Sequence, residues 1–279
     1  MSDVDVSTFQ REVQAGHTPD VAYAALLFAS KIAYPDLQPS LYLAQLDDWA
    51  EAVQRRLDPD DSILTHIACL SDFLFGEIGL RGNRERYADP RNSFLNEVMA
   101  RGLGLPISLS VLFVEVARRV GLAADGVGLP GHFIVGIPLP AEEGWIYLDP
   151  FNGGAAVTKA DAARLVRDST GHDGPFQSQW LAPSPPREIL ARMLFNLRSV
   201  YLQQEDWSHA LAVIEHLRLL QPDTPEHVRD LGLLSIPAGA LRAGVGLLED
   251  YLSLKPDAED AAAIQHTLRT VLDQFARLN

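Results

Sequence analysis

The stretch from Leu105 to Ala117 constrains the fold most, because it is apolar almost without interruption. Two nearby glycines precede it, and Arg118-Arg119-Val120-Gly121 follows it, which is typical of a helix that begins near Pro106 and ends before a glycine. A helix that is apolar on nearly every side must be covered on most of them. We therefore predict that this segment is the central helix of a globular body.

Two strand-like runs come next, Phe133–Ile137 and Trp145–Leu148, and the residues 138–144 between them have loop chemistry. This pattern predicts an antiparallel hairpin. His132 opens the first run and Asp149 closes the second, so the hairpin would bring both to the same end of the sheet. A carboxylate beside an imidazole fixes its tautomer and raises its basicity, as in nucleophilic triads. An aspartate before a proline turn is also a common structural Asx turn, so the pair has two readings.

Helical spacing dominates the chain before about Gly79. One stripe consists of Tyr42, Leu46, Trp49, Val53 and Leu57, and a second begins after Asp60-Asp61-Ser62, which offers N-capping groups. These patterns predict a helical N-terminal layer. Cys69 lies beside the second stripe, which is typical of a small core residue.

A repeat marks the C-terminal part of the chain. Pro222-Asp223 recurs as Pro256-Asp257. Four apolar or small positions recur about thirty-four residues later, which is the tetratricopeptide length: Leu197, Ala210, Ile214 and Leu220 return as Leu231, Gly244, Leu248 and Leu254. The stretch 168–187 is rich in proline, glycine and serine and is expected to be a connector. We predict a domain over residues 1–170, with the N-terminal helices, and a helical repeat domain over 185–279.

Composition narrows the classes of partner. The formal net charge of −14 disfavours nucleic acid and anionic membranes, and short arginine-rich runs such as 81–91 are read as solvated surface. A single cysteine forms no internal disulfide, and the N-terminus has neither a basic leader nor an apolar run of membrane length. The cytoplasm is therefore the expected compartment. Phosphate loops and metal-ligand spacings are missing from the sequence, so we expect no cofactor and no metal.

The stretch from Ser93 to Gly154 resembles the transglutaminase-like core of the bacterial SirB-type family. The resemblance rests on these segments: Ser93–Val98, Gly104-Leu105-Pro106-Ile107-Ser108-Leu109-Ser110, Ala117–Leu122, Leu129-Pro130-Gly131-His132-Phe133 and Asp149-Pro150-Phe151-Asn152-Gly153-Gly154. The same family carries a C-terminal tetratricopeptide tail, so the resemblance covers the chain from about Asp36 onward. It implies an α+β fold, in which a transglutaminase-like (papain-like) helix and antiparallel sheet form the core and an all-α repeat tail follows.

The resemblance also implies a site that this chain has lost in part. Active transglutaminase-like enzymes are similar in placing a cysteine at the start of the central helix, which here falls near Pro106, followed by a histidine and an aspartate on neighbouring strands. Residues 104–110 contain no cysteine. His132 and Asp149 are then a remnant pair, with Pro106 and Asn152 as candidate substrate-binding residues beside it. Ser108 and Ser110 are the nearby hydroxyls, and serine is a poor nucleophile without a well-placed base and oxyanion donors.

These features predict a catalytically degenerate protein that binds a protein or peptide, or regulates one, through the repeat tail and the core cleft. The acidic balance favours a basic or neutral partner. Two alternatives stay open. The first is a hydrolase or acyl-transferase that uses Ser108 with His132 and Asp149, and the second is a tail that only caps the core.

Overall fold

The computed structural model describes residues 6–14, 16–58, 60–139 and 144–278. Most of these residues are helical. The α-helices are α1 (Val6–Glu12), α2 (Val21–Ile32), α3 (Pro39–Gln54), α4 (Ile63–Ser71), α5 (Leu95–Arg101), α6 (Pro106–Arg119), α7 (Lys159–Thr170), α8 (Pro186–Gln203), α9 (Trp207–Leu220), α10 (Glu226–Ser235), α11 (Leu241–Leu254) and α12 (Ala261–Leu278). Among the helices in these ranges, none combines the length and apolarity needed to cross a bilayer.

The strands are short and form two separate pairings. They are β1 (Arg81–Gly82), β2 (Leu103–Gly104), β3 (Asp125–Leu129), β4 (His132–Leu139), β5 (Gly144–Asp149) and β6 (Ala155–Ala156). Strands β1 and β2 pair in parallel, whereas β3, β4, β5 and β6 form an antiparallel sheet in that order. In the β4–β5 pair, Val135 lies opposite Leu148 and Leu139 opposite Gly144. This register confirms the predicted hairpin, whose loop residues 140–143 lie outside the described residues.

Helix α6 is the centre of the core. It starts at Pro106, and its residues from Pro106 to Ala117 are all buried. The helix contacts α3, α5, β3, β4 and the 3-10 turn Pro150–Asn152, so it is covered from several directions. This arrangement confirms the prediction of a central helix, and the α+β fold class with it.

The N-terminal helical layer follows the predicted stripes. Leu46, Trp49 and Val53 on α3 are buried. Ser62 caps α4, because its hydroxyl accepts a hydrogen bond from the backbone N–H of Thr65 at 3.2 Å. That bond satisfies one of the four N–H groups that a helix start leaves without an intrahelical partner.

The chain separates into two compact units. The core unit comprises Thr18–Ser30 and Tyr34–Met193, and the tail unit comprises the residues up to His17, Lys31–Ala33 and the chain from Leu194 onward. Helix α1 thus belongs to the tail unit, and α8 contributes its first turns to the core unit. The domain bounds of 1–170 and 185–279 stay a prediction.

The stretch 168–187 lies along the β3 side of the sheet. Trp180 packs against the cluster that contains Val127. The backbone N–H of Ser184 donates to the Gly126 carbonyl at 2.8 Å. The proline-rich composition therefore describes an irregular segment that is held against the sheet through much of its length.

The tail unit contains the repeat predicted from the sequence. Seven of the eight matched positions are buried: Leu197, Ala210, Ile214, Leu220, Leu231, Gly244 and Leu248. The eighth, Leu254, is 62% exposed. Helices α10 and α11 approach so closely that a Cβ on Gly244 would lie 2.9 Å from the Gly232 carbonyl oxygen. The small residue of the repeat therefore stands where two backbones meet.

Candidate functional site

His132 and Asp149 meet at one end of the sheet. His132 begins β4 and Asp149 ends β5, and the His132 Nε2 lies 2.9 Å from the Asp149 Oδ2. The two residues are 8% and 2% exposed. An ionised carboxylate can only accept, so the imidazole donates from Nε2, and a neutral ring in this contact has its lone pair on Nδ1. The hairpin therefore places an oriented imidazole at the core.

Asp149 is held by its own turn as well as by the histidine. Its Oδ1 accepts from the backbone N–H of Phe151 at 3.0 Å and of Asn152 at 3.3 Å, and its Oδ2 accepts from the Asn152 Nδ2 at 2.6 Å. Burial raises the pKa of Asp149, but the hydrogen bond and charge of His132 and the bonds from Asn152 outweigh it, so the pKa lies below its usual value. The carboxylate is thus ionised and fixed, and the Asx-turn reading and the orienting role coexist.

The ring of Phe151 packs beside the imidazole of His132. The two ring centroids are 6.0 Å apart and almost perpendicular. The phenyl ring fits closely against the backbone of β1, since a Cβ on Gly82 would lie 2.5 Å from it. The side chain of Asn152, predicted as substrate-binding, accepts a hydrogen bond from Arg84. Asn152 therefore ties the aspartate to an arginine of the 81–91 segment.

The start of α6 supplies no nucleophile in contact with the imidazole. The Ser108 hydroxyl is fully buried; it accepts from the Leu105 N–H at 2.9 Å and lies 2.7 Å from the Asn92 carbonyl oxygen, to which it donates. In the described part of the chain, no hydrogen bond joins Ser108 to His132. The Ser110 hydroxyl is 3.5 Å from the Phe133 carbonyl, at the limit of a hydrogen bond. Pro106 is buried at the first position of the helix. The roles of Ser108 and Pro106 stay predictions.

Cys69 lies on α4, whereas His132 begins β4. It is partly buried, and burial raises the pKa of its thiol, which disfavours the reactive thiolate. The charged groups that act on it are Arg56, Asp72, Asp61 and Glu77. The lone thiol therefore has the environment of a structural cysteine.

The carboxylate side of the pair opens to a shallow cleft. Asp149 and Asn152 line it together with β6 and α7, and its volume is about 250 Å³. Over residues 6–14, 16–58, 60–139 and 144–278, we find no group of three metal-ligating side chains.

Sequence reasoning missed two arginines at the site. Arg192, on α8, donates from Nη2 to the His132 carbonyl at 2.6 Å and lies over the Phe133 ring at 5.3 Å. Arg84 lies over the Phe151 ring at 5.2 Å. The sequence predicts the arginine-rich run 81–91 as solvated surface; Arg84 is exposed but also contacts Phe151 and Asn152. The arginine-rich run 81–91 was a sequence signal for Arg84, whereas no pattern in the sequence linked Arg192 to His132.

Comparison with known proteins identifies the family that each part of the chain resembles. The model of the transglutaminase-like superfamily matches residues 40–195, and a tetratricopeptide repeat model matches 197–269. A protein of Xylella fastidiosa named "UPF0162 protein" is 37% identical over 244 residues, which cover 86% of each chain. A namesake from Vibrio cholerae is 32% identical over 57% of this chain and 58% of its own.

"Protein SirB1" of Salmonella typhimurium is 25% identical over 74% of this chain and 73% of its own length. The order of domains, core first and repeats second, is the one that the segments from Ser93 to Gly154 and the thirty-four-residue period predict. The chain therefore belongs to the transglutaminase-like superfamily and, within it, to the SirB-type family that joins this core to tetratricopeptide repeats.

Proposed function

We propose that this protein is a catalytically inactive transglutaminase-like protein that binds a protein or peptide. The observation that carries the proposal is the site at the start of α6. The His132–Asp149 pair is oriented and buried, yet the segment 104–110 has no cysteine and the only thiol of the chain, Cys69, lies on another helix. An oriented imidazole without a thiolate can still hydrogen-bond a ligand through Nδ1.

The rival function is hydrolysis or acyl transfer by Ser108. A serine nucleophile needs a base within hydrogen-bond reach of its hydroxyl. The hydrogen bonds of Ser108 instead connect the first turn of α6 to Leu105 and Asn92. A nucleophilic Ser108 would have to break these contacts and expose a side chain that is fully buried. The contacts therefore favour a structural role at the helix start.

The tail unit offers a second surface for a partner. An open cleft of about 640 Å³ lies among α10, α11 and the turn 255–260 that follows α11. Asp257 and Glu259 line it beside the paired charges of Lys255 and Glu226. Repeat domains commonly bind partners in such concave surfaces, and the acidic lining agrees with the basic or neutral partner that the net charge favours.

A covalent probe separates the two functions. We expect that a fluorophosphonate probe leaves Ser108 unlabelled when the whole protein is analysed by intact mass and peptide mapping. Stoichiometric labelling of Ser108 that disappears in His132→Ala would refute the inactive state. His17→Ala is the matched control, because this histidine is half-exposed, with a side chain that is 51% accessible, and lies outside the core unit.

Binding is tested with pooled random hexapeptides. The pool is equilibrated with the protein, the complex is isolated by size exclusion, and retained peptides are identified by mass spectrometry. We expect a retained set that His132→Ala loses and His17→Ala keeps. Peptides retained by both variants would be assigned to the tail. If the protein retains no peptide at all, the proposed binding function is wrong.

A further inference from the structure

Two arginines at the His132 site, Arg84 and Arg192, hydrogen-bond neutral oxygens and no carboxylate among the described residues. Arg84 donates to the amide oxygen of Asn152, and Arg192 donates to the carbonyl oxygen of His132. Within the described ranges, neither arginine forms an ion pair with an aspartate or glutamate. Over the whole chain, acidic residues outnumber Lys and Arg by 37 to 23.

Both arginines contact the pair formed by His132 and Phe151, Arg84 at the Phe151 ring and Arg192 at the His132 carbonyl. Arg84 lies over the ring face at 5.2 Å. The rings of Tyr87 and His132 approach it edge-on, with centroids at 6.1 Å and 6.0 Å. Arg192 donates to the His132 carbonyl, and its charge lowers the pKa of the Tyr87 phenol against the larger effect of burial. We call these four residues, Arg84, Tyr87, His132 and Arg192, the arginine cluster.

The Arg192 guanidinium is partly buried, and among the described residues no carboxylate is paired with it. Burial lowers the pKa of Arg192, because its guanidinium is partly removed from water, and only the Tyr87 phenol acts in the opposite direction. A guanidinium has five N–H donors, and Arg192 uses one of its nitrogens in the hydrogen bond to His132. A desolvated cation of this kind is stabilised most by a carboxylate, which matches the guanidinium fork and accepts two hydrogen bonds at once.

The surrounding groups fit a carboxylate as well. Tyr87 is half-exposed and carries a hydroxyl that can donate. The carboxylate of Asp149 is already occupied by four hydrogen bonds and does not compensate the arginines directly. The positive side of the site therefore stays available to a ligand.

We propose that the arginine cluster binds a carboxylate group of a peptide, either its C-terminal carboxylate or an acidic side chain. The proposal rests on the peptide-binding function above and specifies its chemistry. It also refines the expectation from composition, because the partner would present a negative group to this site although the protein as a whole is acidic. A purely structural role for the arginines would leave ligand selection unchanged when they are replaced.

The test uses two pools of the same random hexapeptides, one with free C-terminal acids and one with C-terminal amides. If the C-terminal carboxylate is bound, the full-length protein retains peptides from the acid pool in preference to those from the amide pool. If an acidic side chain is bound, peptides with Asp or Glu are enriched from both pools. We expect Arg192→Gln and Arg84→Gln each to reduce this selection by about tenfold or more, since a hydrogen bond to a charged group is lost.

Arg86→Gln is the matched control, because Arg86 is exposed on the same segment as Arg84. The substitution also changes the net charge by the same amount. Because Arg84 is exposed, Arg84→Gln still tests the proposal if Arg192→Gln does not fold. The urea midpoint reports whether each variant is folded. Retained peptides without carboxylate enrichment would overturn the arginine cluster as a carboxylate site and leave the binding function standing. A protein that retains nothing from either pool would overturn the binding function and the arginine cluster together. Equal losses in Arg86→Gln and Arg84→Gln would mean that net charge alone explains the selection, and would also overturn the cluster.

Discussion

Asp149 should make different contributions through its two oxygens, and two substitutions separate them. Asp149→Ala removes the acceptor for the backbone N–H groups of Phe151 and Asn152 and for the His132 Nε2. A buried donor left without a partner costs about 1–3 kcal/mol, and the Asn152 N–H is the more exposed of the two. We therefore expect Asp149→Ala to lower the free energy of unfolding of the core unit by about 2–4 kcal/mol.

Asp149→Asn keeps one carbonyl oxygen for the backbone N–H groups but loses the acceptor for the Asn152 Nδ2, so it should cost about 1–3 kcal/mol. Its amide nitrogen, however, would face the His132 Nε2, and two donors cannot bond each other. The imidazole should therefore shift its proton to Nδ1, which removes the lone pair proposed for ligand binding. Long-range ¹H–¹⁵N NMR of labelled histidine would report this change of tautomer directly.

The same pair predicts how stability depends on pH. The pKa of Asp149 in the folded protein lies below its value of about 3.9 in an unfolded chain. The carboxylate therefore contributes stability at pH values above the unfolded pKa, and the contribution is lost as the pH falls through the folded pKa. The difference in stability between the natural protein and Asp149→Asn should shrink as the pH falls below about 4.

Urea unfolding followed by tryptophan fluorescence measures these effects. Three of the four tryptophans, Trp49, Trp145 and Trp180, belong to the core unit. If Asp149→Ala were as stable as the natural protein, or if Asp149→Asn kept the proton on Nε2, the hydrogen-bond reasoning at this site would be refuted. A stability difference that stays constant down to pH 3 would contradict the assignment of the low pKa.

Two further predictions concern close backbone approaches. Gly82→Ala would place its Cβ 2.5 Å from the Phe151 ring and should destabilise the core unit by about 1–3 kcal/mol. The control Gly76→Ala, with nothing within 4 Å of the added Cβ, should not destabilise it. Equal urea midpoints for the two variants would contradict the packing argument. In the tail unit, Gly244→Ala should destabilise by a similar amount, about 1–3 kcal/mol, because of the backbone oxygen 2.9 Å away. Gly246→Ala, on the same helix with open space around it, should stabilise by about 0.5–1 kcal/mol, and the opposite order of circular-dichroism melting temperatures would refute the packing argument.

Much of the core could be predicted from sequence because its strongest signals are local. The apolar run from Leu105 to Ala117 leaves few options other than a covered helix, and α6 begins at Pro106 as predicted. The proximity of His132 and Asp149 follows from a hairpin with short arms, since residues at the open end of paired strands are neighbours.

Strand β3 was missed for a physical reason. Gly126 and Gly128 have low strand propensity, so the segment does not look like a strand when it is considered alone. Packing explains both glycines: a Cβ on Gly126 would lie 2.8 Å from the Phe133 ring, and one on Gly128 would lie 2.9 Å from the Ser184 hydroxyl. Such constraints come from partners distant in sequence, which no local pattern contains.

The candidate site also contains residues that local sequence predicts and residues that it does not. The imidazole and carboxylate are close in sequence and in space, whereas Arg192 reaches His132 from sixty residues away along the chain. Its place depends on the path of the stretch 168–187 along the sheet, and composition predicted only that this stretch is irregular. Leu254 shows the converse limit, because a matched repeat position need not be buried at the same depth.

The hydrogen bond from Arg192 to the His132 carbonyl affects how the protein can be shortened for study. A truncation in the proline-rich segment, or anywhere before Met193 on α8, removes the guanidinium along with the repeats. Any loss of binding in such a fragment would then report on damage to the sheet end as much as on the missing tail. A fragment meant to represent the isolated core should therefore extend past Arg192, as the match to residues 40–195 does.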